Sequence, residues 1–327
     1  MFLLPLSLLF YIVTLIRRRQ QRIQAKQLDI DIPIIVVGNI TVGGTGKTPL
    51  LISIVEKLKQ QGYSPGIVSR GYGSEAPHYP YEVTSESPIS HAGDEPWMVA
   101  HRTQCPVFID ADRPAAVRAL VEKHYCDLII SDDGLQHYRL PRDIEIAVVD
   151  GSRGLGNGRL LPAGPLRETA ARLLEVDYLV INGPAKHRGI PDRKKYEMRL
   201  NPVEWRRVYD GNPVQLGEQP WYGEAHAIAG IGNPGRFFKT LSELEVSFIE
   251  HRFADHHQYR SDDLDFNDDL PVVMTEKDAG KCRALLKQKA NVDISLIDQF
   301  WYLVVVADVS DEFIGNLMKD IDRKSKR

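Results

Sequence analysis

Residues 41–48 read T-V-G-G-T-G-K-T, and this stretch decides the fold. An apolar run at 34–37 precedes it, and a run with apolar residues at helical spacing, 50–58, follows. A strand, a glycine-rich turn ending in Lys-Thr and a helix make a phosphate-binding loop. Gly43, Gly44 and Gly46 allow the tight or left-handed backbone that aims several N–H groups at one point. The helix N-terminus adds partial positive charge there. Lys47 brings a mobile cation to the outer phosphates, and a hydroxyl at Thr48 is a Mg²⁺ ligand in such loops. Thr41, Val42 and Thr45 complete the expected nucleotide-binding segment. Thr41 departs from the general pattern, standing where its first Gly would be. The plainer alternative is a surface turn with a chance Gly-Lys-Thr, and the flanking strand and helix in register argue against it.

A chain of 327 residues suggests two domains. With 41 Lys and Arg against 44 Asp and Glu, the formal charge of −3 gives no support to a nucleic-acid binder. Cys105, Cys126 and Cys282 are far apart and form no C-x-x-C pair, so neither a disulfide framework nor a zinc site is implied. They read as buried small hydrophobes in a reducing compartment.

Residues 1–16 are apolar except for Pro5, Ser7, Tyr11 and Thr14; Arg17, Arg18 and Arg19 follow, then Arg22 and Lys26. As a helix the apolar part would reach about 24 Å at ~1.5 Å per residue, short of a hydrocarbon core of about 30 Å. A secretory signal carries its charges before the apolar run, and here they come after it. The arginines should stay cytoplasmic and meet anionic headgroups. Residues 1–22 are therefore expected to be a membrane anchor, spanning or lying in the interface. The competing reading is a soluble helix packed on the core, which would keep a polar stripe.

The body alternates strand-like and helix-like segments. Near-continuous apolar strands separated by helices predict an α/β fold, a parallel sheet covered on both faces, with ligands at the carboxyl ends of the strands. The expected organisation is a P-loop nucleotide-binding domain over 30–185, a β-ribbon linker over 186–223 and a second, smaller α/β domain over 224–327. Two short strands, 196–200 and 205–208, are expected in the linker. The acidic run 262–269 reads as a solvated face.

Asp132 and Asp133 end an apolar strand downstream of the loop, where the Mg²⁺-binding acid of such NTPases lies. A hard cation held by one or two carboxylates and phosphate oxygens fits them. Asp94 and Glu95 follow Gly93 and precede Pro96 at a helix start. They read either as first-turn acids complementing the helix dipole or as carboxylates aimed into the cleft. Asp255-His256-His257 offers a histidine to pair with a carboxylate. Arg70, Tyr72, Arg153, Arg159, Arg167 and Glu168 fall in Gly- and Pro-rich loops, and arginines there are candidate anion clamps. Thr275-Glu276-Lys277-Asp278 nearly matches the guanine-specifying N/T-K-x-D, but its Lys comes one place late, which favours ATP.

Eight blocks, in order, then resemble one family: V-G-N-I-T-V-G-G-T-G-K-T-P at 37–49, S-R-G-Y-G at 69–73, G-D-E-P at 93–96, D-D-G-L-Q-H at 132–137, N-G-R-L-L-P-A-G-P-L-R-E at 157–168, A-G-I-G-N-P-G-R-F-F at 229–238, D-H-H at 255–257 and V-V-M-T-E-K-D-A at 272–279. The chain resembles the tetraacyldisaccharide 4′-kinases of lipid A biosynthesis in Gram-negative bacteria, whose form of the loop carries Thr at position 41. Ala254 stands where Pro is expected. The resemblance implies ATP- and Mg²⁺-dependent phosphorylation of the 4′-hydroxyl of a lipid-linked glucosamine disaccharide. It implies two α/β/α lobes joined by a β-ribbon hinge, at the cytoplasmic face of the bacterial inner membrane. The partners implied are the lipid A disaccharide precursor and inner-membrane lipids, with no nucleic acid and no obligate protein partner. Lys47 and the loop amides would bind phosphates, and Thr48, Asp132, Asp133 and Glu95 would gather at the metal. Asp94 would be the base, tuned by His256 in preference to His257, with Arg167 and Glu168 lining the site and Tyr72 meeting the head group. A different class with the same loop is a membrane-tethered nucleotide switch, which would need no lipid acceptor.

Overall fold

The computed structural model describes residues 3–25, 30–184, 189–290 and 298–325; Met1, Lys26 and the expected 185/186 boundary lie outside the described residues. In chain order the first part is α1 (Leu4–Ala25), β1 (Ile34–Gly38), α2 (Lys47–Gln60), β2 (Pro65–Ser69), β3 (Tyr81–Val83), α3 (Ile89–Ala92), α4 (Asp94–Thr103), β4 (Val107–Ile109), α5 (Arg113–Lys123) and β5 (Leu128–Asp132). Then come β6 (Ile144–Asp150), α6 (Arg172–Glu175), β7 (Tyr178–Asn182), β8 (Tyr196–Arg207), β9 (Pro213–Gln215), β10 (Glu224–Ala229), α7 (Pro234–Glu243) and β11 (Ser247–Arg252). β12 (Val272–Thr275), α8 (Glu276–Ala290), β13 (Phe300–Val309) and α9 (Asp311–Ser325) close the chain.

The strands form one continuous sheet in the order β11-β10-β12-β13-β8-β7-β6-β1-β5-β2-β4-β3, with β9 on β8. β1, I-I-V-V-G, is buried at all five positions, as a strand covered on both faces must be. It pairs in parallel with β5 on one side and β6 on the other. The loop after β1 therefore emerges between Asp132, at the end of β5, and Asp150, at the end of β6. One face of this half packs α2 and α4 through Leu50, Ile54, Leu58, Trp97 and Val99. The other packs α5 through Ala116, Val117 and Leu120. The β10–β12 half has its own two cores, one around Phe237, Phe238 and Leu241 of α7, the other around Cys282 and Leu286 of α8. All three cysteines are free and buried.

The linker differs from expectation. The two short strands predicted there are one strand, β8, which pairs antiparallel with β9 from Glu204↔Gln215 to Arg206↔Pro213 and, across nine residue pairs from Trp301↔Arg207 to Val309↔Met198, with β13. Pro202 made the segment look interrupted. It sits beside the register shift at Val304/Val305, where a bulge tolerates a residue with no N–H to donate. The chain also returns to its first half at the end: Phe313, Leu317 and Ile321 of α9 lie in the same core as Leu58 and Tyr178. α9 thus packs with the first half of the sheet. Edge strands β3 and β11 were not anticipated; β11, S-F-I-E-H-R, has only two apolar residues and no buried position.

α1 is inverted. Ser7, Tyr11, Thr14, Arg18, Gln21 and Ala25 recur every three or four residues and face the protein, while Leu4, Leu6, Leu8, Leu9, Ile12, Val13, Leu15 and Ile16 are exposed. The helix is held by polar contacts: the Ser7 hydroxyl donates to the Leu160 carbonyl at 2.9 Å and accepts from the Ala163 amide at 3.1 Å. Arg18 pairs with Glu175, and the Arg18 and Arg22 guanidinium groups lie over the Tyr138 ring at 4.8 and 5.2 Å. The polar stripe of a surface helix is present, but it is the buried face. Among the described residues no helix is long and apolar enough to cross a membrane.

Candidate active site

The phosphate loop is a rigid turn pinned on three sides. Gly46 precedes α2 with φ 91 and ψ 22, and Gly43 has φ 90. A Cβ on Gly46 would overlap the Asn182 amide nitrogen. That amide, at the end of β7, donates to the Thr45 carbonyl at 2.9 Å. The Asn39 amide donates to the Thr45 hydroxyl at 3.2 Å. Thr41 makes a β-bridge to Leu166, and the Val42 N–H donates to the Pro165 carbonyl at 2.9 Å. The position that lacks the usual glycine is thus a bridge residue in extended backbone, where Thr is at home. Arg153 donates to the Val42 carbonyl at 3.3 Å.

Lys47 lies 3.4 Å from Asp133, and Arg167 lies 3.0 Å from its other oxygen. Burial works against the Asp133 charge, but Lys47 and Arg167 outweigh it and hold the carboxyl below the usual range. Asp133 has φ 44, a left-handed backbone that turns the side chain towards the loop. Asp132 is the opposite case. It is 1% exposed, its Oδ1 has no hydrogen-bond partner, and its carboxyl is pushed up to about 7 by burial, then by Glu95 and Asp133. A buried carboxylate oxygen without a partner, beside two further carboxylates, is a place where a cation would be stabilised. Thr48, buried on the first turn of α2, adds a hydroxyl. This hard oxygen set fits Mg²⁺ held partly by phosphate oxygens. Among the described residues no three acidic, imidazole or thiolate groups could hold a metal ion by themselves. Glu95, expected at the metal, is 3.3 Å from Lys277.

A second cluster brings both lobes together. Asp94, at the start of α4, is 8% exposed and sits just behind a wall formed by Tyr72, Glu95 and His256. His256 Nδ1 is 3.2 Å from Asp94 Oδ2, and the Tyr72 ring leans on the imidazole at 4.9 Å. Lys281 lies 3.9 Å from Asp94. Burial opposes the Asp94 charge, yet the His256 hydrogen bond, Lys281 and Lys277 outweigh it and keep the carboxyl below its ordinary value. His257 turns the other way: its Nε2 meets Asp263 at 3.0 Å, and its ring packs on Phe253 and Tyr259. The structure thereby separates two histidines that the sequence left side by side.

Glu168 accepts from Gln136 at 2.8 Å and from the Tyr138 hydroxyl. Arg70, Tyr72, Arg167 and Glu168 line one cleft of about 1550 Å³ with the phosphate loop, Asp132, His256 and, from α1, Phe10, Thr14, Arg17 and Arg18. Arg159 does not join them; it is exposed in the 157–166 turn. Several residues escaped the sequence reading. Asp150 pairs with Arg236 at 2.9 Å and accepts from Asn233 at 3.4 Å. This ties the end of β6 to the start of α7, where a Cβ on Gly232 would come within 2.7 Å of the Gly44 nitrogen. Asp150 and Asn182 close parallel strands, the one signal that could have found them.

The family model described as tetraacyldisaccharide-1-P 4′-kinase (LpxK) matches residues 1–322. A tetraacyldisaccharide 4′-kinase of Hahella chejuensis is 46% identical over 315 residues, covering 94% of this chain and 89% of that one. One of Stutzerimonas stutzeri is 49% identical over 283 residues, covering 86% and 84%. The crystal structure of LpxK from Aquifex aeolicus in complex with ATP is 26% identical, covers 98% of both chains and superposes with a TM-score of 0.76. The chain belongs to the tetraacyldisaccharide-1-P 4′-kinase family.

Proposed function

We propose that this protein is the kinase that transfers the γ-phosphate of ATP to the 4′-hydroxyl of a tetraacylated glucosamine disaccharide 1-phosphate. The observation that carries the reading is the His256–Asp94 pair, assembled from two lobes, whose His256 lines one cleft with the phosphate loop and Asp132, Asp94 lying directly behind it. In this reading the loop amides and Lys47 bind the phosphates of ATP. Thr48, Asp132 and Asp133 would hold Mg²⁺, which when bound neutralises charge on the phosphate oxygens. Asp94 is kept ionised by its cationic neighbours, and its small exposed edge takes the proton of the acceptor hydroxyl. His256 donates to Asp94 and orients it. Arg167 binds negative charge beside the loop, Glu168 holds that wall through Gln136 and Tyr138, and Tyr72 meets the sugar. Phosphoryl transfer depends mainly on alignment and charge neutralisation, which a two-lobed cleft supplies by closing. The β8–β13 ribbon is the segment on which the lobes would hinge.

The protein would work on the cytoplasmic face of the inner membrane. The support is α1: an outward apolar face followed by Arg17, Arg19 and Arg22, with its inner stripe lining the cleft. Such a helix, apolar on one face and polar on the other, would lie in the interface and lead a lipid acceptor to the site. The test is transfer of labelled γ-phosphate from ATP to the tetraacylated disaccharide in mixed micelles. Slow hydrolysis of ATP indifferent to that lipid would refute the kinase and favour a nucleotide switch.

A further inference from the structure

The segment T-E-K-D-A-G-K, 275–281, is the near-match to a guanine-specifying motif, and its local structure is something else. The Thr275 hydroxyl accepts the Asp278 N–H at 3.3 Å and donates to the Asp278 carboxylate at 2.6 Å. This is a helix cap. The same carboxylate accepts the Gly230 N–H at 3.1 Å, so the first turn of α8 is locked to the end of β10. That turn faces α4. Glu276 meets Arg102 at 2.9 Å, and Lys277 meets Glu95 at 3.3 Å. Arg102 and Glu95 are seven residues apart, about two turns, on one side of α4. Each lobe contributes one acid and one base, so a slip by two turns would set like charges together.

Lys277 makes two more contacts, to Asp255 Oδ1 at 3.4 Å and to His256 Nε2 at 3.4 Å. An ammonium has three protons to donate and no lone pair. The nitrogen facing it must therefore accept. Asp255 Oδ1, 3.8 Å from Nε2, is beyond hydrogen-bond reach and is engaged by Lys277. With Nε2 bare, the ring proton is on Nδ1, opposite Asp94.

We propose that Lys277 is a positioning residue for phosphoryl transfer, holding His256 as the neutral Nδ1–H tautomer so that its one proton is directed at Asp94. The consequence for Asp94 rests on the kinase reading above. In the other tautomer a lone pair would confront the Asp94 carboxylate at 3.2 Å, and the two acceptors would repel. A second ring proton would put imidazolium against ammonium. The chain Lys277→His256→Asp94 runs in one direction and exists only where α8 abuts α4, so docking of the lobes and readiness of the base are one event.

The experiment uses full-length, ¹⁵N-histidine-labelled protein in detergent micelles. Two-bond ¹H–¹⁵N spectra, with His256 assigned from His256→Gln, report which ring nitrogen carries the proton. We expect Nδ1–H in the parent and loss of that single tautomer in Lys277→Met. We expect kcat to fall by about 10²-fold, the usual effect of misplacing a reacting group by an ångström, with KM for ATP unchanged. Lys277→Arg, which can also donate to Nε2, should recover the tautomer and most of kcat. An Nε2–H or doubly protonated ring in the parent overturns the proposal, as does an unchanged ring in Lys277→Met. If Lys277→Met fails to fold, the parent and Lys277→Arg spectra still decide. Parent protein that leaves the disaccharide unphosphorylated sinks the kinase reading instead, and the tautomer still stands or falls on its spectrum.

Discussion

Replacing Gly46 with Ala tests whether the loop is a built phosphate cradle or merely a flexible turn. Two costs can be read from the structure. At φ 91 an L-residue is in left-handed backbone, which costs roughly 1–2 kcal/mol. The new Cβ also overlaps the Asn182 amide, whose displacement would leave the buried Thr45 carbonyl without its 2.9 Å donor. An unsatisfied buried acceptor costs about 1–3 kcal/mol. Because that amide ends a side chain that can swing, the lower part of the sum applies, about 2–3 kcal/mol. The cheapest relief is for the loop to open, so the cost should appear in nucleotide binding. ATP affinity should weaken roughly 30- to 150-fold, measured by calorimetric titration, with only a small fall in melting temperature. Gly62 is the control: its φ is 92 and nothing lies within 4 Å of a Cβ. Gly62→Ala should cost stability by about 1 kcal/mol and leave ATP binding alone. Equal ATP affinity in Gly46→Ala and Gly62→Ala would refute the reasoning, because the Asn182 contact would then do nothing.

Asp94→Asn keeps the size of the side chain and an acceptor for His256, and leaves Lys281 paired with Asp278 at 3.0 Å. Turnover should fall about 10²–10⁴-fold with ATP affinity retained; near-normal single-turnover transfer would remove Asp94 as the base. The His137 imidazole is pushed down to about 3 from 6.5 by burial, then by Arg113 and Arg142. Between those values the unfolded chain binds a proton that the folded one refuses, so this group costs stability as pH falls below 6.5, up to about 1.4 kcal/mol per unit. Melting curves of His137→Gln between pH 7 and 5 should show a shallower slope than the parent, and identical slopes would discount the buried neutral ring. Leu9, Ile12 and Ile16 of α1 are 58%, 45% and 53% exposed, so changing all three to Ser should leave the fold intact. Each such side chain is worth roughly 1.5–3 kcal/mol when fully buried in an apolar phase, so cosedimentation with anionic vesicles should drop at least tenfold, and unchanged binding would assign membrane contact to another surface.

How far the chain could be read without coordinates varied with the range of the interaction. β1 and α2 were legible because uninterrupted apolar residues and helical periodicity are local signals. β8 was misread at Pro202 because a proline in a strand is disfavoured unless a bulge accommodates it, and the bulge belongs to the pairing with β13. β11 was missed because an edge strand has no buried face to impose a pattern. Asp132 and Asp133 were found together, yet one is an unpartnered buried acid and the other an ion pair with Lys47 and Arg167, a difference set by neighbours up to 86 residues away along the chain.

By itself, then, the sequence determined that a phosphate loop opens an α/β sheet, that carboxylates end the neighbouring strand, and that an apolar helix precedes them. Those properties follow from residue type and short-range spacing. Only the tertiary structure decided which histidine meets Asp94 across 162 residues, that the T-E-K-D segment is a cap presenting Lys277, and that α1 turns its polar stripe inward. The reason is physical: backbone dihedrals and periodicity are properties of a few consecutive residues, whereas a hydrogen bond between two lobes exists only once the sheet has set their distance and orientation.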